Sequence, residues 1–139
     1  MLSKKINNKI LVRVDKGEEL VESLMKICKE YNVKLGMISG IGATNKVKVG
    51  LFDVEKKQYF SNEFNKNFEI TSLLGNVSTM TNETYLHLHI NVCDDKHNCF
   101  GGHLNHAIIS ATFEGFIEII DDEIDREFSN DVGLNLMKF

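Results

Sequence analysis

Helical periodicity occurs once in this chain. Leu20, Val21, Leu24, Ile27, Cys28 and Tyr31 recur at the three- and four-residue spacing of a single helix face. Asp15 with Glu18 three residues on has the form of a capping box that starts this helix, and Asn32 is its stop. Everything else with a pattern is strand-like. Ile6–Val14 precedes the helix, and Lys34–Ile38, Val47–Val54, Gln58–Phe64, Phe68–Val77, Thr84–Val92 and Ala107–Ile120 follow it, the last interrupted by Gly115. Short polar turns such as Asp94–Asn98 join several of these runs at hairpin length. One helix among so many strands gives an α+β fold with a mostly antiparallel sheet. A single helix cannot cover both faces of such a sheet, so a second copy of the chain is the simplest cover and a homo-oligomer is expected.

No proline, low-complexity stretch, internal repeat or Gly/Ser linker divides the sequence, so residues 1–139 read as a single domain. No apolar stretch follows the lysines of Met1–Val14 as it would in a signal peptide, and no run is long enough to span a bilayer. Three cysteines, Cys28, Cys93 and Cys99, cannot all pair with one another, which argues against a secreted disulfide scaffold. The expected compartment is the cytoplasm. The net charge of −4 divides unevenly: residues 1–60 hold twelve Lys/Arg against seven Asp/Glu, and residues 61–139 hold four against thirteen. A binder of nucleic acid ordinarily presents a basic face to the phosphates. This chain does not as a whole, which argues against direct DNA binding, although its first half could present a local patch.

Thr84–Val92 alternates strictly, so Tyr85, His87, His89 and Asn91 share one strand face while Leu86, Leu88, Ile90 and Val92 take the core face. His87 and His89 then lie roughly 7 Å apart at Cα, from a rise of ~3.3 Å per residue. Two imidazoles at that spacing can converge on one ion. His103, in Phe100–Leu104, returns beside them if the two segments pair as a hairpin. Three histidines leave a coordination position open, as in a catalytic zinc site. An H-x-H on a strand is equally two half-exposed polar residues facing solvent. Gly101 and Gly102 before His103 are a device for close backbone approach or positive φ.

His106, three residues on, reads as a surface or interface side chain in an irregular stretch, and His97 as part of a hydrophilic hairpin tip between two small buried cysteines, Cys93 and Cys99. Glu114 and Glu118 share parity in the apolar run Phe113–Glu118. They either face solvent, or one of them orients a ligand imidazole or acts as a base beside a metal-bound water. Glu114 is the catalytic candidate. Ser39–Ala43 lacks the third glycine of a dinucleotide fingerprint and the Gly-Lys-Ser/Thr of a phosphate loop, and reads as a tight connection between strands.

Five blocks in order, Ile38–Ala43, Phe68–Asn76, His87-Leu88-His89, Phe100–Leu104 and Arg126-Glu127-Phe128 through Gly133–Leu136, resemble the PPC (plants and prokaryotes conserved) domain of prokaryotic type nearly end to end. The resemblance implies a compact domain that assembles as a homotrimer. It also implies the family's alternative reading as a DNA-binding or regulatory module, although the Arg-Gly-Arg-Pro AT-hook of the plant members is absent here. The domain is similar in fold to acetolactate decarboxylase, a zinc enzyme. That likeness implies His87, His89 and His103 as ligands of zinc or a similar divalent metal, with a small molecule as the metal's ligand or substrate.

Overall fold

In a computed structural model that describes all 139 residues, one helix, α1 (Leu20–Glu30), accompanies nine strands. These are β1 (Leu2–Ile6), β2 (Lys9–Asp15), β3 (Gly36–Asp53), β4 (Gln58–Phe64), β5 (Phe68–Met80), β6 (Glu83–Cys93), β7 (Cys99–Ile119), β8 (Arg126–Ser129) and β9 (Leu134–Met137). The first seven form one antiparallel sheet in the order β1-β2-β7-β6-β5-β3-β4. An additional β7–β3 pairing curls β3, β5, β6 and β7 into a closed ring. The expected α+β fold with an antiparallel sheet is present. No helix is long and apolar enough to cross a membrane.

Alternation along these strands separates two faces. The row Ile10, Ile117, Ile38, Gly75, Leu88 crosses β2, β7, β3, β5 and β6 in register, and its apolar members are buried beneath α1. Leu20, Leu24, Ile27 and Cys28 of the helix complete the core on that side. The next row, Leu11, Phe116, Ser39, Leu74, His89, points outward, and its apolar side chains are exposed. The histidine face is thus the outer face of the ring.

Several boundaries differ from the sequence reading. Ile6–Val14 is a hairpin, because Asn7 takes a left-handed conformation (φ 55°) that asparagine tolerates and turns the chain back after Ile6. The Asp15–Glu18 pair exists, with the Asp15 N–H donating to the Glu18 carboxylate at 2.9 Å, but it closes a turn ahead of the helix. The cap itself is Glu19, which accepts from the Glu22 N–H and also from the Ala107 N–H of β7 at 2.8 Å. The helix stops where expected, Asn32 standing at φ 51°. Ser39–Ala43 is no connection at all. It is the middle of β3, and its glycines exist because β7 runs so close: a Cβ on Gly40 would overlap the Phe113 ring and one on Gly42 the Thr112 carbonyl. The register of β3 shifts between Gly40 and Gly42 at a bulge.

Candidate metal centre

The register of the site is set by a turn far from it. Thr81 and Asn82 form a two-residue connection with both φ positive (52° and 66°), the geometry of a type I′ hairpin. That turn pairs Met80 with Glu83, and from there the ladder places Asn76 opposite His87 and Leu74 opposite His89. On the other edge of β6 the hairpin to β7 places His103 directly opposite His89. Cys93 and Cys99 close the last rung as a disulfide with Cα atoms 4.3 Å apart. Cys99 is exposed and Cys93 half-buried, contrary to the expectation of two buried thiols, and neither is free to bind a metal. Beyond them Asp94 gathers the tip by accepting from the Lys96 and Asn98 N–H groups, and its ion pair with Lys66 leads in holding its carboxyl down at about 2.

The three histidines converge. Nε2 of His87 and Nε2 of His89 are 3.2 Å apart, and one ring nitrogen from each of His87, His89 and His103 lies within 4.8 Å of the others. Two imidazole nitrogens on a tetrahedral zinc, each ~2.05 Å from the ion, stand about 3.4 Å apart, so the His87–His89 pair already has that spacing. A ring nitrogen of His103 lies within 4.8 Å of both. The donor set therefore fits a tetrahedral divalent ion. Burial, followed by repulsion from the other histidines, holds His87 and His103 below their ordinary value, which favours the neutral imidazoles a metal requires. Gly101 and Gly102 serve close approach and not positive φ: a Cβ on Gly101 would strike the Ile90 carbonyl, and one on Gly102 would stand 2.7 Å from the Gly50 carbonyl oxygen.

The histidines floor a cleft of about 720 Å³ between β3, β6 and the β8–β9 hairpin. Leu51, Phe52, Leu134, Leu136 and Met137 make its apolar walls, and Tyr59, Asn76, Tyr85 and Arg126 its polar ones. Tyr59 donates to Asn105 Oδ1 at 2.9 Å and meets His103 edge-on. Arg126 is 6% exposed. Its Nε donates to Ser78 Oγ at 2.7 Å, Nη1 to the Asn135 carbonyl at 2.9 Å and Nη2 to Asn76 Oδ1 at 2.8 Å, with the guanidinium 4.6 Å from the centre of the Tyr85 ring.

Glu114 is not in this cleft. It lies eleven residues further along β7, on the order of 35 Å of strand path at ~3.3 Å per residue, and lines grooves with Ile41 at the other end of the sheet. It pairs in register with Arg13 and Ile41, out of reach of the imidazoles of its own chain. Glu118 is exposed beside Lys9. His106 lies within β7, not in an irregular stretch, and its Nε2 is 2.9 Å from Glu63 Oε2. His97 occupies the hairpin tip at φ 62°. Sequence reasoning missed Arg126 as a site residue. The signal available was a lone arginine inside the acidic stretch Asp121–Glu127.

Comparison with known proteins agrees with this architecture. The family model of the Plants and Prokaryotes Conserved (PCC) domain matches residues 1–121. A crystal structure from Bacteroides thetaiotaomicron, described provisionally as a DNA binding protein, is 36% identical with a TM-score of 0.97, over 99% of this chain and 96% of that one. A plant- and prokaryote-conserved (PPC) protein from Pyrococcus horikoshii is 30% identical with a TM-score of 0.87, over 99% and 94%. A metal-containing protein from Archaeoglobus fulgidus is 29% identical with a TM-score of 0.88, over 100% and 99%. The α-acetolactate decarboxylase of Bacillus subtilis shares the fold at 18% identity, TM-score 0.57, over 88% of this chain and 57% of that one. No curated protein matches.

Proposed function

The chain belongs to the Plants and Prokaryotes Conserved domain family, and from that premise we propose that it is a homotrimeric metalloprotein. In this reading His87, His89 and His103 hold one divalent ion, zinc first among them, and a small molecule enters the cleft above. The observation that carries the reading is the convergence of three ring nitrogens within 4.8 Å at the floor of that cleft. The metal-containing relative from Archaeoglobus fulgidus supports it. A bound ion supplies a Lewis acid to whatever oxygen reaches its open position. The chain's own part is to hold three neutral imidazoles and to limit water with the apolar walls of the cleft.

The trimer has its support in the outer face. Leu11, Met37, Ile41, Leu74 and Phe116 are all exposed on β2, β3, β5 and β7, and Leu74 stands beside His89. An apolar surface of that kind is costly in a monomer and is the ordinary material of a subunit interface.

Metal analysis of protein purified without a polyhistidine tag or chelator is the test. Near-stoichiometric zinc that disappears in a His87→Ala/His89→Ala variant with unchanged folding is the expected result. A wild-type protein that retains no metal after zinc is added and the excess removed overturns the reading. The alternative, a DNA-binding module, draws on the description of the Bacteroides thetaiotaomicron relative. It predicts DNA affinity that falls steeply with salt, against which stand the net charge of −4 and the acidic second half.

A further inference from the structure

Arg126 is a buried cation without a counter-anion. All three of its hydrogen-bond acceptors are neutral: a serine hydroxyl, an asparagine amide oxygen and a backbone carbonyl. The carboxylates next to it in sequence are engaged elsewhere, Asp125 with Thr79 and Glu127 with Lys138. None of the residues lining the cleft is an aspartate or glutamate. A cation this buried is costly unless an anion joins it. Loading the three histidines with a divalent ion adds two more positive charges to the same cavity, again with no carboxylate among its lining residues to offset them.

From this we infer that the cleft is an anion receptor, and that its ligand is a small organic carboxylate held between Arg126 and the metal-bearing histidines. The inference rests on the metal reading above and adds the chemical class of the ligand. Three donated bonds leave a guanidinium with one N–H on each terminal nitrogen, enough for a carboxylate. Arg126 lines the cleft together with His87, whose ladder partner Asn76 takes the Nη2 bond. The apolar side chains of the same cleft, Leu51 and Phe52 from β3 and Leu134, Leu136 and Met137 from β9, select an apolar body behind the charge and disfavour an inorganic ion.

The test titrates cobalt-loaded wild-type protein, followed by visible absorption and calorimetry, with benzoate, its neutral isostere benzamide and inorganic phosphate. Benzoate is expected to bind at least about 10-fold more tightly than benzamide, and to lose about 10-fold or more in an Arg126→Gln variant that still takes up one cobalt. Equal affinity for benzoate and benzamide overturns the inference, as does benzoate affinity that survives Arg126→Gln. Tighter binding of phosphate than of benzoate overturns the carboxylate assignment. Should Arg126→Gln fail to fold, the benzoate–benzamide comparison in the wild type decides. Absence of cobalt uptake overturns the metal reading, and benzoate against benzamide in metal-free protein then decides whether Arg126 still recognises an anion.

Discussion

The two ends of β7 begin alike and finish differently. Each carries a glycine beside a polar residue that can bind or catalyse: Gly102-His103 at one end, Glu114-Gly115 at the other. At the His103 end the strand is crowded by β3 and β6, a cleft opens above it, and His89 stands across the ladder with His87 two residues away on β6. At the Glu114 end the neighbours are Arg13, Ile41 and Phe116, and the carboxylate points to an exposed sheet face. A polar side chain gains chemistry from what the register brings opposite it. Parity along its own strand is not enough.

Four substitutions or conditions probe that contrast, beginning with the largest effect. Phe113→Ala removes a fully buried ring at the Glu114 end and is expected to cost about 3–5 kcal/mol in urea unfolding. Retention of one cobalt by the folded fraction would show the ends to be independent, and loss of cobalt would join them. At the other end Gly101→Val places a side chain against the Ile90 carbonyl. We expect about 1–3 kcal/mol of destabilisation together with weaker cobalt binding, because β6 and β7 must separate. A variant that keeps wild-type cobalt affinity breaks the claim that close strand approach builds the site.

The third concerns pH. Burial and mutual repulsion hold His87 and His103 below 6.5 in the folded chain. Above pH 6.5 both states carry neutral histidines and these groups contribute nothing. As pH falls through 6.5 the unfolded chain takes up protons first, so the metal-free protein loses stability until the folded values are passed. The urea midpoint should drop between pH 7.5 and 5.5, and the drop should shrink in His87→Gln/His103→Gln. The smallest effect is expected from Glu114→Gln: cobalt uptake unchanged and stability within about 0.5 kcal/mol. A large loss of metal there would restore Glu114 to the site and undo the contrast.

Local pattern carried much of this. Strict alternation in Thr84–Val92 put His87 and His89 on one face and Leu88, Ile90 and Val92 in the core, as the structure has them. The Gly-Gly pair allows close approach or positive φ, and the structure uses the first. What stayed hidden depends on pairings between distant residues. Ser39–Ala43 reads as a turn because glycine usually marks one, and only the Phe113 ring and the Thr112 carbonyl on another strand explain why these glycines sit mid-strand. Glu114 is a candidate only through its parity in an apolar run, and no local signal states how far along β7 the ladder with β6 extends. Arg126 has no periodic context whatever, and its partners are 48 and 50 residues away at Ser78 and Asn76.

The family model ends at residue 121, whereas Arg126 and the β8–β9 hairpin lie beyond it. The floor of the cleft and its roof are therefore encoded in separate stretches of the gene, joined by a few hydrogen bonds and one stacked ring. The last segment shapes what the cavity admits, while the histidines beneath are placed by the ladders of β6 with β5 and β7.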